Sequence, residues 1–184
     1  MEAKVVLSGY YGFGNLGDEA VLAGLLRALR QLEPGVRVVV LSADPEWTAR
    51  LHGVSAERRG LRGAWRALAG ARVLVSGGGS LLQDVTSARS TLYYLGIMAL
   101  ARFRGARVVW VAQGIGPVRR RWLRWLVGLE ARRASPITVR DEASRQALAA
   151  WGRLDPGRIE VVPDPAWVLA HVIDEGRSPL LSPS

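Results

Sequence analysis

With 184 residues the chain has room for one domain with a hydrophobic core of its own. The absence of cysteine excludes a disulfide framework, an iron–sulfur cluster and a thiolate zinc site, and two histidines, His52 and His171, are too few for a histidine-rich centre, so no metal is expected. Lysine and arginine number 25 against 16 acidic residues, a net charge of +9 in which Lys4 is the only lysine; such a field favours an anionic partner without choosing among nucleic acid, an acidic membrane surface and a phosphorylated metabolite.

Short β-branched runs alternate with helix-length periodic segments, the pattern of a parallel sheet with helices on both faces. Strands are expected at 4–8, 36–41, 72–76, 107–111, 137–140 and 159–162, and helices at 18–31, 46–51, 64–69, 91–104, 119–132 and 141–151. In the first helix Leu22, Leu25, Leu26 and Leu29 share one stripe, with Arg27 and Arg30 turned away. The fold class is therefore α/β, a Rossmann-like doubly wound parallel sheet of about six strands over residues 1–173. Residues 174–184, with two prolines and three serines and no period, read as a disordered tail or a linker toward a further domain. No signal-peptide pattern opens the sequence and no apolar run approaches the ~20 residues that span a bilayer, so a cytoplasmic location is expected. No signature of a recognition helix or base-stacking sheet is present, and no nucleic-acid partner is expected.

In open parallel sheets ligands bind beyond the carboxyl ends of the strands. Four glycines crowd the segment after the first strand, Gly9 to Gly17, and Gly12, Gly14 and Gly17 fit the dinucleotide pattern G-x-G-x-x-G. Asp44 follows the second strand, where a ribose-binding acid would stand. Against that reading, Asp18 and Glu19 occupy the helix start that a pyrophosphate would need, and Asp44 lies 27 residues past Gly17 instead of the usual ~20. A nucleotide or dinucleotide cofactor-binding module stays open as the alternative. The glycines also suit a plain tight turn and Asp18 a plain helix cap. Neither accounts for Tyr11 and Phe13 on a loop tip with Asn15 two residues on. Aromatic faces flanked by amide and carboxylate groups suit a sugar ring, whose C–H face stacks while its hydroxyls need donors and acceptors.

After the third strand, Gly77, Gly78 and Gly79 lead to Ser80 and then Gln83 and Asp84; the glycines permit close approach of backbone to a helix or to a ligand alike. Gln113 after the fourth strand and Asp164 after the sixth read first as ordinary polar loop residues. Arg140 ends the fifth strand and either pairs with Asp141 and Glu142 or faces a ligand. His171 reads as packing or surface. In the basic segment at 119–126, Trp122, Trp125, Leu126 and Leu129 are expected to face the core, with Arg119, Arg120, Arg121 and Arg124 solvated; a membrane-surface helix is the alternative.

Taken together, Gly-Tyr-Tyr-Gly-Phe-Gly-Asn-Leu-Gly-Asp-Glu (9–19), Gly-Gly-Gly-Ser-Leu-Leu-Gln-Asp (77–84), Gln-Gly-Ile-Gly-Pro (113–117), Val-Arg-Asp-Glu-Ala-Ser (139–144) and Asp-Pro-Ala (164–166) resemble the polysaccharide pyruvyl transferase family in its bacterial cell-wall form. The resemblance implies one half of a GT-B-like two-domain architecture. It implies transfer of enolpyruvyl from phosphoenolpyruvate to an amino sugar of a cell-wall polysaccharide as a ketal, the product serving to anchor an S-layer. Phosphoenolpyruvate is then the donor substrate with no cofactor, a lipid-linked glycan is the acceptor, and 119–124 would touch the inner face of the membrane. Tyr11, Phe13 and Asn15 carry over to the acceptor site. Asp18 and Asp84, by their position at strand ends, are the candidates to take a hydroxyl proton. Arg140 would hold the donor's anionic groups, and Gly77, Gly78, Gly79, Gln83, Gln113 and Asp164 complete the substrate-binding set. The family's donor-binding half has no counterpart within residues 1–184, so the chain is expected to be a fragment or a truncated frame with an incomplete donor site.

Overall fold

Valine and leucine runs pair side by side into one parallel sheet in the computed structural model, which describes residues 3–84 and 88–166. Seven strands, β1 (Lys4–Tyr11), β2 (Arg37–Ser42), β3 (Ser55–Arg58), β4 (Val73–Gly77), β5 (Arg107–Gln113), β6 (Ile137–Val139) and β7 (Ile159–Val161), lie in the order β3-β2-β1-β4-β5-β6-β7. Six helices connect them: α1 (Leu16–Leu32), α2 (Pro45–His52), α3 (Leu61–Ala67), α4 (Ala88–Phe103), α5 (Arg121–Arg133) and α6 (Glu142–Gly152). The doubly wound α/β expectation holds, with one strand more than the six read from sequence. The addition, β3, is a short edge strand of sequence Ser-Ala-Glu-Arg paired to β2, with none of the β-branched run that marks the buried strands.

Alternation along the strands divides the core in two. Val5 and Leu7 of β1 face α1 together with Val38, Val40 and Val75, while Val6, Val39, Leu74, Val108 and Trp110 face α3 to α6 on the other side. Side-chain caps fix where helices begin: Asn15 accepts from Gly17 N–H, Asp44 from Trp47 N–H and Asp141 from Ser144 N–H, each cap worth about 0.5–2 kcal/mol. The cap at Asp44 means that the carboxylate considered for a ribose serves the start of α2.

Two expectations are corrected. Strand β1 runs on past a bulge after Ser8 to Tyr11, so the first two tyrosines of the glycine-rich segment belong to the strand. In α5 the buried side is Leu123, Val127, Glu130 and Ala131; Trp122 and Trp125 stand outward, 47% and 62% exposed. The apolar stripe is interrupted because Glu130 is paired with Arg102 of α4 inside the packed face. Among the described residues no helix is long and apolar enough to cross a membrane. His171 and the 174–184 segment, with the boundary drawn at 173, lie outside the described residues.

Candidate functional site

The strand order reverses between β1 and β4, and there the loops after the two strands diverge to either side and open a crevice. Asp18, on the first turn of α1, stands in its middle. On one side a recess of about 300 Å3 is bordered by Tyr10, Asn15, Asp18, Ser80, Gln83 and Tyr94. On the other a shallower one of about 390 Å3 is bordered by Asn15, Asp18, Gly79, Arg140 and Asp164. Residues following β1, β4, β6 and β7 thus meet around one carboxylate. Partial burial first, and then the charges of Glu19 and Asp164, hold the Asp18 carboxyl above the usual carboxylate range.

The walls are positioned by hydrogen bonds between neighbouring loops. Gly79 carbonyl accepts from Gly114 N–H at 3.0 Å and from Gln113 Nε2 at 3.3 Å, Leu82 bridges to Ile115, and Asp84 N–H donates to Pro117 carbonyl. The 77–84 and 113–117 motifs are therefore one interlocked unit. Arg140 reaches across it: its Nη2 donates to Ser80 Oγ at 2.8 Å and its Nε lies 3.5 Å from Asp141 Oδ2, so the guanidinium is steadied at the cleft by both neighbours. On the α1 side, Gly12 N–H donates to Glu19 Oε1 at 2.8 Å, and Glu19 Oε2 meets His52 Nε2 at 2.9 Å. The Gly12 N–H is thus taken by a carboxylate of the chain itself, and Asp18 and Glu19 put two acids in the first turn of α1 where a pyrophosphate would need free amides, which counts against that alternative.

The model of the family described as "Polysaccharide pyruvyl transferase" matches residues 15–180. The chain belongs to that family. No curated protein matches it. Among solved structures it is similar to a putative UDP-N-acetylglucosamine 2-epimerase from Listeria monocytogenes, at 15% identity and a TM-score of 0.52, over 86% of this chain and 44% of that one. That likeness is one of fold, and the chain spans less than half the length of the larger protein.

Within this pyruvyl transferase fold the expected site residues divide by burial. Asn15, Asp18, Gly79, Gln83, Arg140 and Asp164 border the cleft. Tyr11 does not: it is 1% exposed, and its hydroxyl donates to Gly77 carbonyl at 2.9 Å. The bulge in β1 turns Tyr11 inward and Tyr10 outward, and Tyr10 borders the cleft with Phe13 stacked on it, centroids 4.1 Å apart. Phe13 is exposed and backs Tyr10 instead of lining the cleft. Asp84 is also withdrawn: its carboxylate accepts from Arg119 N–H at 2.7 Å, from Arg120 N–H at 3.0 Å and from Arg120 Nη1. Those bonds hold it below the usual carboxylate range and leave it a tie for the start of α5, poorly suited to take a proton. Gln113 is fully buried between Ser76 and the Gly79 and Gly114 carbonyls, Gly77 lies inside β4, and Gly78 packs against Val21 of α1, so these three shape the cleft from behind. Tyr10, Ser80 and Tyr94 also border the cleft. Ser80 directly follows the triple glycine in sequence, whereas Tyr94, mid-helix, carries no local mark.

Proposed function

We propose that the cleft around Asp18 is the acceptor site of a pyruvyl transferase that joins the enolpyruvyl unit of phosphoenolpyruvate to two hydroxyls of a glycan amino sugar. The observation that carries this reading is Asp18: a half-buried carboxyl of raised proton affinity at the sheet's switch point, with an aromatic face on one side and a steadied arginine on the other. The reaction requires protonation of the donor's methylene carbon, which leaves an oxocarbenium-like centre for the first sugar hydroxyl to attack. The second hydroxyl then displaces phosphate. Of the two hydroxyl protons, one is balanced by the new methyl group and one by the departing phosphate. Asp18 takes a hydroxyl proton as the C–O bond forms, a general-base role for which a pKa nearer neutrality is suited. Tyr10, backed by Phe13, stacks on the sugar's C–H face, and Asn15 and Gln83 meet its hydroxyls. Arg140 holds an anionic group of the donor in its planar fork.

The test is calorimetric titration of the chain with an N-acetylmannosamine-containing disaccharide, followed by addition of phosphoenolpyruvate and NMR detection of the ketal methyl group; absence of sugar binding overturns the acceptor reading. Asp18→Asn should abolish ketal formation while the disaccharide still binds. Tight NAD(H) binding without sugar affinity would replace this reading with the cofactor-module one. The outward Trp122 and Trp125, flanked by Arg121 and Arg124, further support attachment to an anionic leaflet carrying a lipid-linked acceptor. Flotation with phosphatidylglycerol vesicles, lost on Trp122→Ser with Trp125→Ser, tests that attachment.

A further inference from the structure

The carboxyl end of β3 gathers four arginines, Arg58, Arg59, Arg62 and Arg66, around a single carboxylate, Glu57. Arg58 closes the strand, Arg59 follows it and Arg62 lies on α3, and the three border a separate recess of about 460 Å3. The acid of β3, Glu57, is already engaged: Arg66 Nε and Nη2 donate to it at 3.2 and 2.9 Å. Among the described residues no carboxylate pairs with Arg58, Arg59 or Arg62.

Arg59 is also held in place. Its guanidinium carbon lies 4.9 Å over the Phe13 ring and 4.5 Å over the Tyr93 ring. Rings engage the faces of a planar guanidinium and leave its in-plane N–H donors unmet. An ordinary surface arginine would extend into water; this one is half-buried, with two like charges beside it. An anion in the recess would relieve that repulsion and satisfy the donors bidentately. Phe13 connects the recess to the cleft, since it carries Arg59 on its ring and stacks on Tyr10, which borders the cleft.

We propose that Arg58, Arg59 and Arg62 form a subsite for a phosphate ester, the phosphate or diphosphate borne by the ligand of the neighbouring cleft. The subsite rests on the acceptor reading of that cleft for the identity of its ligand. A polyprenyl-linked sugar and a nucleotide-linked sugar both carry the required diphosphate.

Calorimetric titration with inorganic pyrophosphate tests the anion site by itself. Saturable binding is expected, weakened roughly 10-fold or more by Arg59→Gln and by Arg62→Gln. The second variant removes no ring contact and keeps the test valid if the first disturbs the stack. Arg158→Gln, an exposed arginine ahead of β7, should leave binding unchanged. No saturable binding, or an equal loss in Arg158→Gln, would overturn the subsite. A second arm compares the neutral disaccharide with the same sugar on a short alkyl diphosphate and on a nucleoside diphosphate. At least one ester should bind roughly 10-fold more tightly than the neutral sugar, with the advantage lost in Arg62→Gln, and the ester that gains identifies the carrier. If the neutral sugar binds and neither ester gains, the subsite fails while the acceptor reading stands. If pyrophosphate binds at the arginines and no sugar binds, the acceptor reading fails and the anion site stands.

Discussion

The hydroxyl of Tyr11 donates to the carbonyl oxygen of Gly77 at 2.9 Å, joining the bulged end of β1 to the last residue of β4 beneath the cleft. Both groups are buried, so the bond cannot be replaced by water. Tyr11→Phe should therefore cost about 1–3 kcal/mol of stability, read by denaturant unfolding, because the Gly77 carbonyl is left unpaired. Tyr10→Ala, one residue earlier and outward, should change stability little and weaken disaccharide binding. Equal effects of the two on sugar binding would contradict the inward and outward assignment.

Asp18→Asn should raise Tm at neutral pH even as it removes transfer activity. A carboxyl whose pKa is higher folded than unfolded binds its proton more tightly in the folded chain. Its favourable contribution is complete below the unfolded value, about 3.9 for aspartate, and is lost as pH rises through the folded value. At neutral pH the charged carboxylate is thus a cost that asparagine lifts, and the gain in Tm should disappear near pH 4. In the wild type, kcat/KM should climb through an ionisation above the ordinary carboxylate range.

Asp84 carries the opposite sign. Its folded pKa is lowered by the Arg119 and Arg120 backbone bonds, so its contribution is complete above the ordinary aspartate range and is lost as pH falls through the folded value. Asp84→Asn should lower Tm at neutral pH, and the gap from wild type should narrow in acid. A thermal series from neutral to strongly acidic pH checks this, and a gap independent of pH would refute it.

Gly78 has φ of +71°, and a Cβ built there would overlap Val21 Cγ1 on α1. Gly78→Ala should severely destabilise the chain, and Val21→Ala should restore part of the loss. Gly14 has a similar φ of +73° but open space around it, so Gly14→Ala should cost only the backbone strain, roughly 1–2 kcal/mol. Unfolding midpoints for the three variants separate crowding from strain.

The parallel sheet and its helices are legible because six strands have β-branched runs, α1 carries a leucine stripe, and α1, α2 and α6 start at capping Asn15, Asp44 and Asp141. What escaped has particular physical causes. β3 lies at the edge with little to bury, so Ser55–Arg58 lacks the signature of a strand. A bulge shifts parity, and without it Tyr10 and Tyr11 cannot be told apart as outward and inward. The α5 face was misread because tryptophan dominates any hydrophobic stripe, while the packed face contains Glu130 matched to Arg102. Position after a strand does bring Asn15, Asp18 and Arg140 to the border of one cleft. It could not separate residues facing the cleft from those tying loops together, as Gln113 and Asp84 do, because both kinds are polar and follow strands.

The carbonyl of Pro165, past the edge strand β7, lies where a side chain on Gly24 of α1 would be. The chain thus doubles back from the far margin of the sheet to rest on its first helix. Ala166 consequently borders the Asp18 cleft, while Lys4 starts β1 at the opposite end of that strand. A side chain at position 24 would therefore press on Pro165 and shift the Ala166 border of the cleft.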